Sequence, residues 1–233
     1  MARAVGRPIK RGADLLLNDE EKPAYIRLHD IGRERRPRPL QEFLNDVGGL
    51  MLSADAPAVA SFVAGKVLQR LLKTGKVRPL EGGPLPGAPD GLDDAIGHLA
   101  KSGRKYEAIA GQFKSLADSL LWRRGRSGPF ASLNFGNTHS HAVLVGPGGM
   151  EERADLRVGV IYMDRYTRFP DHVQTQPRAF ILLSPGEICL GNSQWFSAAT
   201  GTVFANDAGQ TFAIRCTARP LLAVWCQVEP ETR

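Results

Sequence analysis

Between residues 40 and 121 apolar side chains recur three and four positions apart, the spacing that lines one face of a helix. A short amphipathic segment spans 40–52. Ser53 or Asp55 is placed to cap a second helix, with Pro57 in its first turn and Val59, Phe62, Val63, Val67, Leu68, Leu71 and Leu72 on its apolar stripe. Gly75 closes it. The stretch 79–91 is crowded with proline and glycine and reads as an irregular linker. Asp90 can cap the next helix, where Leu92, Ile96 and Leu99 share a side, and Ser102-Gly103 breaks it. A last helical run sets Tyr106, Ile109, Ala110, Phe113, Leu116, Ala117 and Leu120 on one stripe.

After Trp122 the pattern changes to short apolar runs at 142–145, 156–163, 178–183, 212–216 and 221–228. Turn-forming residues separate them: Gly146-Pro147-Gly148-Gly149, Ser184-Pro185-Gly186, Gly191-Asn192 and Asn206-Asp207-Ala208-Gly209. Many short strands joined by tight turns predict a sandwich or a barrel. The expected class is α+β: an N-terminal helical segment (40–121) followed by a C-terminal antiparallel β-barrel (122–233), with a basic arm (1–39) in front. Two docking partners are open to the helical segment, the barrel or a second copy of the chain in a homodimer.

Composition narrows the function classes. Hydrophobic residues make up 42% and charged residues 23%, which excludes wholesale disorder. Much of the net charge of +6 sits in Arg3, Arg7, Lys10, Arg11, Arg33, Arg35, Arg36 and Arg38, and reads as a solvated, mobile arm. No aromatic interleaving or nucleic-acid motif accompanies it, so nucleic acid is not the expected partner. No apolar run approaches the ~20 residues that span a membrane, and no secretory pattern opens the chain. Cys189, Cys216 and Cys226 form neither a disulfide framework nor a CxxC knuckle. They are expected to be small buried hydrophobes in a cytoplasmic protein.

The chemistry concentrates in Phe169-Pro170-Asp171-His172-Val173-Gln174, with Arg178 and Phe180 after it. This is the frame of a cupin metal motif, H-x-H-x-x-x-E, whose alternate strand positions put two imidazoles on one inward face. Asp207-Ala208-Gly209-Gln210-Thr211-Phe212 has the frame of the second cupin motif, P-x-G-x-x-H, ending forty positions after His172. From Trp122 to about Gln227 the chain resembles the cupin-type dimethylsulfoniopropionate (DMSP) lyases. The resemblance also rests on Trp122-Arg123-Arg124, Leu144-Val145-Gly146-Pro147, Leu182-Leu183-Ser184, Ala213-Ile214-Arg215 and Pro220-Leu221-Leu222-Ala223-Val224-Trp225. It implies a double-stranded β-helix, or jelly roll, preceded by helices. It also implies a divalent metal (zinc, manganese or iron) and a tyrosine base that together cleave a sulfonium substrate to dimethyl sulfide and acrylate.

Carried over position by position, His172 matches the first metal histidine. Gln174 stands for the second, Arg178 for a metal-binding glutamate or histidine, and Phe212 for the last histidine. Phe169 and Phe180 replace tyrosines, Phe180 at the position of the base. A divalent cation seeks imidazole nitrogens and carboxylate oxygens, a guanidinium repels it, and a phenyl ring offers no proton acceptor. No catalytic residue is therefore assigned. The chain reads as a lyase-family member with a degraded metal site, or as a metal-free cupin that binds a small ligand. A relocated metal site would use the H-x-H pair His139 and His141 with His172, and oxygen from Tyr162, Asp164, Tyr166 or Glu187. The expected ligand-binding residues are Phe169, Arg178, Phe180, Phe212 and Trp225, with Trp195, Phe196 and Phe204 extending the aromatic lining. Aromatic faces would hold a sulfonium or quaternary ammonium group, and Arg178 the carboxylate of the same ligand.

Overall fold

The computed structural model describes residues 35–78 and 87–230; most of the basic arm and most of the Pro/Gly linker lie outside the described residues. Helices α1 (Arg38–Met51) and α2 (Ala58–Leu71) lead into a short strand, β1 (Lys76–Val77). Helices α3 (Leu92–Ala100) and α4 (Arg104–Ala117) follow, then β2 (Arg123–Arg124) and a single helical turn, α5 (Phe135–Thr138). The remaining strands are β3 (His139–Val145), β4 (Glu151–Glu152), β5 (Leu156–Met163), β6 (His172–Val173), β7 (Arg178–Leu182), β8 (Gly186–Leu190), β9 (Phe196–Ala198), β10 (Val203–Asn206), β11 (Thr211–Arg215) and β12 (Leu221–Val228).

The strands form two sheets. The larger has the order β1-β4-β3-β5-β12-β7-β10, with β2 also paired to β3; the smaller is β6-β11-β8-β9. The expected barrel is not closed: among the described residues no ladder joins the sheets, which meet through side chains between them. Alternation along β5 and β12 sorts the two faces. Leu156, Val158, Val160, Tyr162, Leu222, Val224 and Cys226 pack in one cluster with the helices, while Ile161, Met163, Leu221, Ala223 and Trp225 pack with Ile188, Phe212 and Ile214 of the smaller sheet. Both faces of the central strands are covered, so β5 and β12 read as almost continuous apolar runs. The helical segment thus docks on the outer face of the larger sheet.

Three local expectations are corrected. Helix α2 begins at an N-cap of Pro57 with no side-chain cap hydrogen bond, so neither Ser53 nor Asp55 caps it, and α3 is preceded by Gly91, not capped by Asp90. The buried stripe of α2 is Ala60, Val63, Ala64, Val67 and Leu71, while Val59, Phe62 and Leu72 are exposed. Small alanines let the helix approach β12 and β7 closely, and that rotates the larger residues outward. Cys216 and Cys226 are buried as expected, but Cys189 on β8 is only partly covered.

Arg36 departs from a solvated arm. It is 8% exposed and forks onto Glu151, itself 0% exposed, through Nε (2.5 Å) and Nη2 (3.0 Å). Its remaining donors reach Gln41 Oε1 and the Leu71 carbonyl, and the Gly75 N–H also donates to Glu151. This bidentate pair ties the entry of the helical segment to the edge of the larger sheet.

Candidate functional site

A cavity of about 420 Å³ opens at one end of the space between the sheets. It draws Arg123 from β2, His139 and His141 from β3, Arg157 and Ile161 from β5, Arg178 from β7 and Trp225 from β12, with Arg126, Phe135, Phe169 and Pro170 from the connecting segments. The positions are set by pleat: 139 and 141, 157 and 161, 178, and 225 are inward members of their alternating strands.

Trp225 lies against Gly159, its register partner on β5. A Cβ at Gly159 would stand 2.6 Å from the indole, so glycine is needed to let the ring lie on the sheet. The Arg178 guanidinium covers the ring at 4.0 Å from its centroid, and Arg178 Nε donates to Gln227 Oε1 (2.8 Å). Gln227 Nε2 donates in turn to Glu229 Oε1 (2.7 Å), which pairs with Arg157 Nε (2.7 Å). Burial, with Arg157 nearby, pulls the Arg178 guanidinium down to about 10, still cationic at neutral pH. Among the described residues no ion pair reaches Arg123, Arg126 or Arg178.

His139 is 2% exposed and its tautomer is fixed by a neighbour. The Gly125 N–H donates to His139 Nδ1 (3.1 Å), so the neutral ring carries its proton on Nε2. Burial, then His141 and Arg124, push its pKa down to about 3. Nε2 is buried and finds no partner. His141 is also held below the ordinary histidine value, by burial and Arg123, and its Nδ1 is unpartnered.

The candidate metal ligands do not converge. The rings of His139 and His141 stack at 5.4 Å, but Phe169 packs against both His139 (5.1 Å) and His172 (4.9 Å). His172 turns its other contact to Phe212 (5.1 Å), and burial lowers its pKa. Tyr162 packs on the helix side, Tyr166 is exposed, Glu187 pairs with Arg215, and Asp164 accepts from the Arg165 N–H. Among the described residues no three His, Cys, Asp or Glu side chains group as a metal site requires. The donor set does not fit a divalent cation.

Of the five expected ligand-binding residues, Phe169, Arg178 and Trp225 line the cavity. Phe180 and Phe212 do not; they stack on each other and on Phe204 at 4.9–5.8 Å and fill the space between the sheets. Gln174 is partly covered, and its backbone carbonyl accepts from the Gly209 N–H. Trp195 lies under Arg168 and Arg215, and Phe196 is exposed. Sequence reasoning missed Arg123, Arg126 and Arg157 as lining residues. Arg157 carried a signal, a lone charge inside the apolar run of β5.

Residues 66–223 match the dimethylsulfoniopropionate lyase family model. The crystal structure of the DMSP lyase DddQ from Ruegeria pomeroyi DSS-3 superposes with a TM-score of 0.60 at 21% identity, over 85% of this chain and 95% of that one. A chain from the crystal structures of the DMSP lyases RdDddP and RnDddQII gives 0.57 at 15% identity, over 82% and 92%. At these identities the structural likeness establishes the fold. No curated protein matches by sequence.

Proposed function

Because the chain belongs to the dimethylsulfoniopropionate lyase family, we propose that it is a cupin-like member that binds a small molecule in the Arg178–Trp225 cavity without the family's metal ion. The observation that carries this reading is the environment of Arg178. The resemblance places a metal-binding carboxylate or imidazole at that position; here a guanidinium is bonded to Gln227 and stacked on Trp225. A fixed positive charge and a divalent cation exclude each other at such range. The missing base supports the same reading, since Phe180 offers a ring packed between Phe204 and Phe212 and no oxygen. The free cysteines support a cytoplasmic setting. No helix among the described residues is long and apolar enough to cross a membrane.

The test is elemental analysis of the purified chain before and after loading with zinc, manganese or iron, together with a dimethyl sulfide release assay on DMSP. The expected result is no stoichiometric metal and no release. Retained metal that disappears on mutating His139, His141 or His172 would instead establish a relocated lyase site.

A further inference from the structure

We infer that the cavity recognises a small organic dianion, a dicarboxylate or a phosphorylated organic acid, with Arg178 holding one oxyanion at depth and Arg123 and Arg126 the other at the rim. This rests on the small-molecule reading above and names its ligand class.

Among the described residues four arginines line the cavity and no aspartate or glutamate does. Glu229 pairs with one of them, Arg157, from beside the lining, and acts on Arg178 only at longer range through Gln227. Arg178 uses Nε on Gln227 and, among the described residues, leaves both terminal nitrogens without an acceptor, the two parallel donors that a carboxylate or phosphate accepts. His139 lines the same cavity from β3, with its Nε2 buried. Its proton is placed there by the Gly125 N–H on Nδ1, so it is a neutral donor already oriented and lacking an acceptor. Arg123 and Arg126 are exposed while Arg178 is partly covered, so the positive charge is set at two depths. Low-dielectric walls around charge of one sign concentrate the field on an anion. The volume suits a compact metabolite-sized ligand. A zwitterion with a quaternary centre meets the opposite conditions. The aromatic face that would hold its cation is covered by Arg178, and the nearest charges repel it.

The experiment is isothermal titration of the full chain with succinate, phosphoglycolate, inorganic phosphate, acetate and glycine betaine, at two salt concentrations. Succinate or phosphoglycolate should bind at least about tenfold more tightly than acetate or betaine, and more weakly at high salt. Preference for succinate marks a dicarboxylate ligand, preference for phosphoglycolate a phosphorylated acid. Arg178→Gln should weaken that binding at least about tenfold, while Arg104→Gln, which removes an exposed charge on α4 outside the cavity, should not. Where Arg178→Gln fails to fold by circular dichroism, Arg178→Lys decides, since it keeps the charge and loses the fork. Equal binding of betaine and succinate, no binding of any dianion, or equal loss in the Arg178 and Arg104 variants overturns the inference. Those outcomes leave the metal analysis untouched, so failure of the ligand class is distinct from failure of the metal-free reading.

Discussion

The Arg178 guanidinium lies 4.0 Å from the centroid of the Trp225 ring and occupies the face that a ligand cation would use. A built-in cation of this kind contributes on the order of 0.5–2 kcal/mol to the stack, and an incoming sulfonium must displace it. Removing the guanidinium should therefore reverse ligand preference. Arg178→Met is expected to raise the small thermal shift given by glycine betaine or DMSP and to abolish that given by dianions. An unchanged betaine response in a folded Arg178→Met variant would show that Trp225 is not the limiting face.

Phe180 stands where the resemblance places a catalytic tyrosine, yet it is 1% exposed and stacked at 4.9 Å on both Phe204 and Phe212. Phe180→Tyr would insert a hydroxyl into this aromatic layer. A buried hydroxyl without a partner costs about 1–3 kcal/mol. The variant should lose stability by that order in urea melts and release no dimethyl sulfide, because a base alone does not supply the missing cation. Release of dimethyl sulfide by this single substitution would sink the reading of the site.

The legibility of the chain follows from how each residue type is constrained. The strands β5 and β12 were readable because two covered faces demand unbroken apolar sequence, and the shift from helical to strand spacing at Trp122 marks where the helices give way to strands, with only β1 preceding it. The stripe of α2 was readable only at Val63, Val67 and Leu71, because Ala60 and Ala64 contribute close approach, which hydrophobicity does not register, while Phe62 is exposed under Lys66. Strands β6, β8, β9 and β10 are short and mixed in polarity, so their pairing is set by neighbours distant in sequence. At the site, Phe169 and Arg178 from the frame around His172 line the cavity, while His172 itself does not. The arginine set escaped notice, since whether an arginine faces solvent or a cavity depends on strand register, and spacing alone does not give it.

His139 makes stability fall in acid. Its folded pKa is about 3, against 6.5 for a free histidine. Above pH 6.5 the ring is neutral in both states and adds nothing to the pH dependence. Between 6.5 and 3 the unfolded chain takes up a proton that the folded chain refuses, so stability declines as pH drops. By pH 4.5 the loss from this residue is about 3 kcal/mol. Urea denaturation at pH 7.5, 6.0 and 4.5 should show the decline, and His139→Gln should make it shallower. It should not abolish it, because burial depresses His141 and His172 in the same direction. Equal slopes for the two proteins would mean that His139 is protonated in the fold.

The Arg36–Glu151 pair joins the helical segment to the sheet, and its burial separates it from the surface pairs. Both side chains are withdrawn from water, so losing Glu151 leaves Arg36 enclosed without a carboxylate, and losing Arg36 leaves Glu151 only the longer Arg153 contact (3.8 Å) and the Gly75 N–H. Arg36→Met and Glu151→Gln should each cost on the order of 3–5 kcal/mol, read as a lowered urea midpoint. The double variant Arg36→Met with Glu151→Leu should recover much of that loss, since two apolar side chains need no mutual compensation. The exposed i,i+4 pair Arg38–Glu42, one turn away, is the internal control. Water screens it, and Arg38→Ala should leave the midpoint within error. A single Arg36 variant as stable as the parent would show that the helical segment is held to the sheet by its apolar face alone.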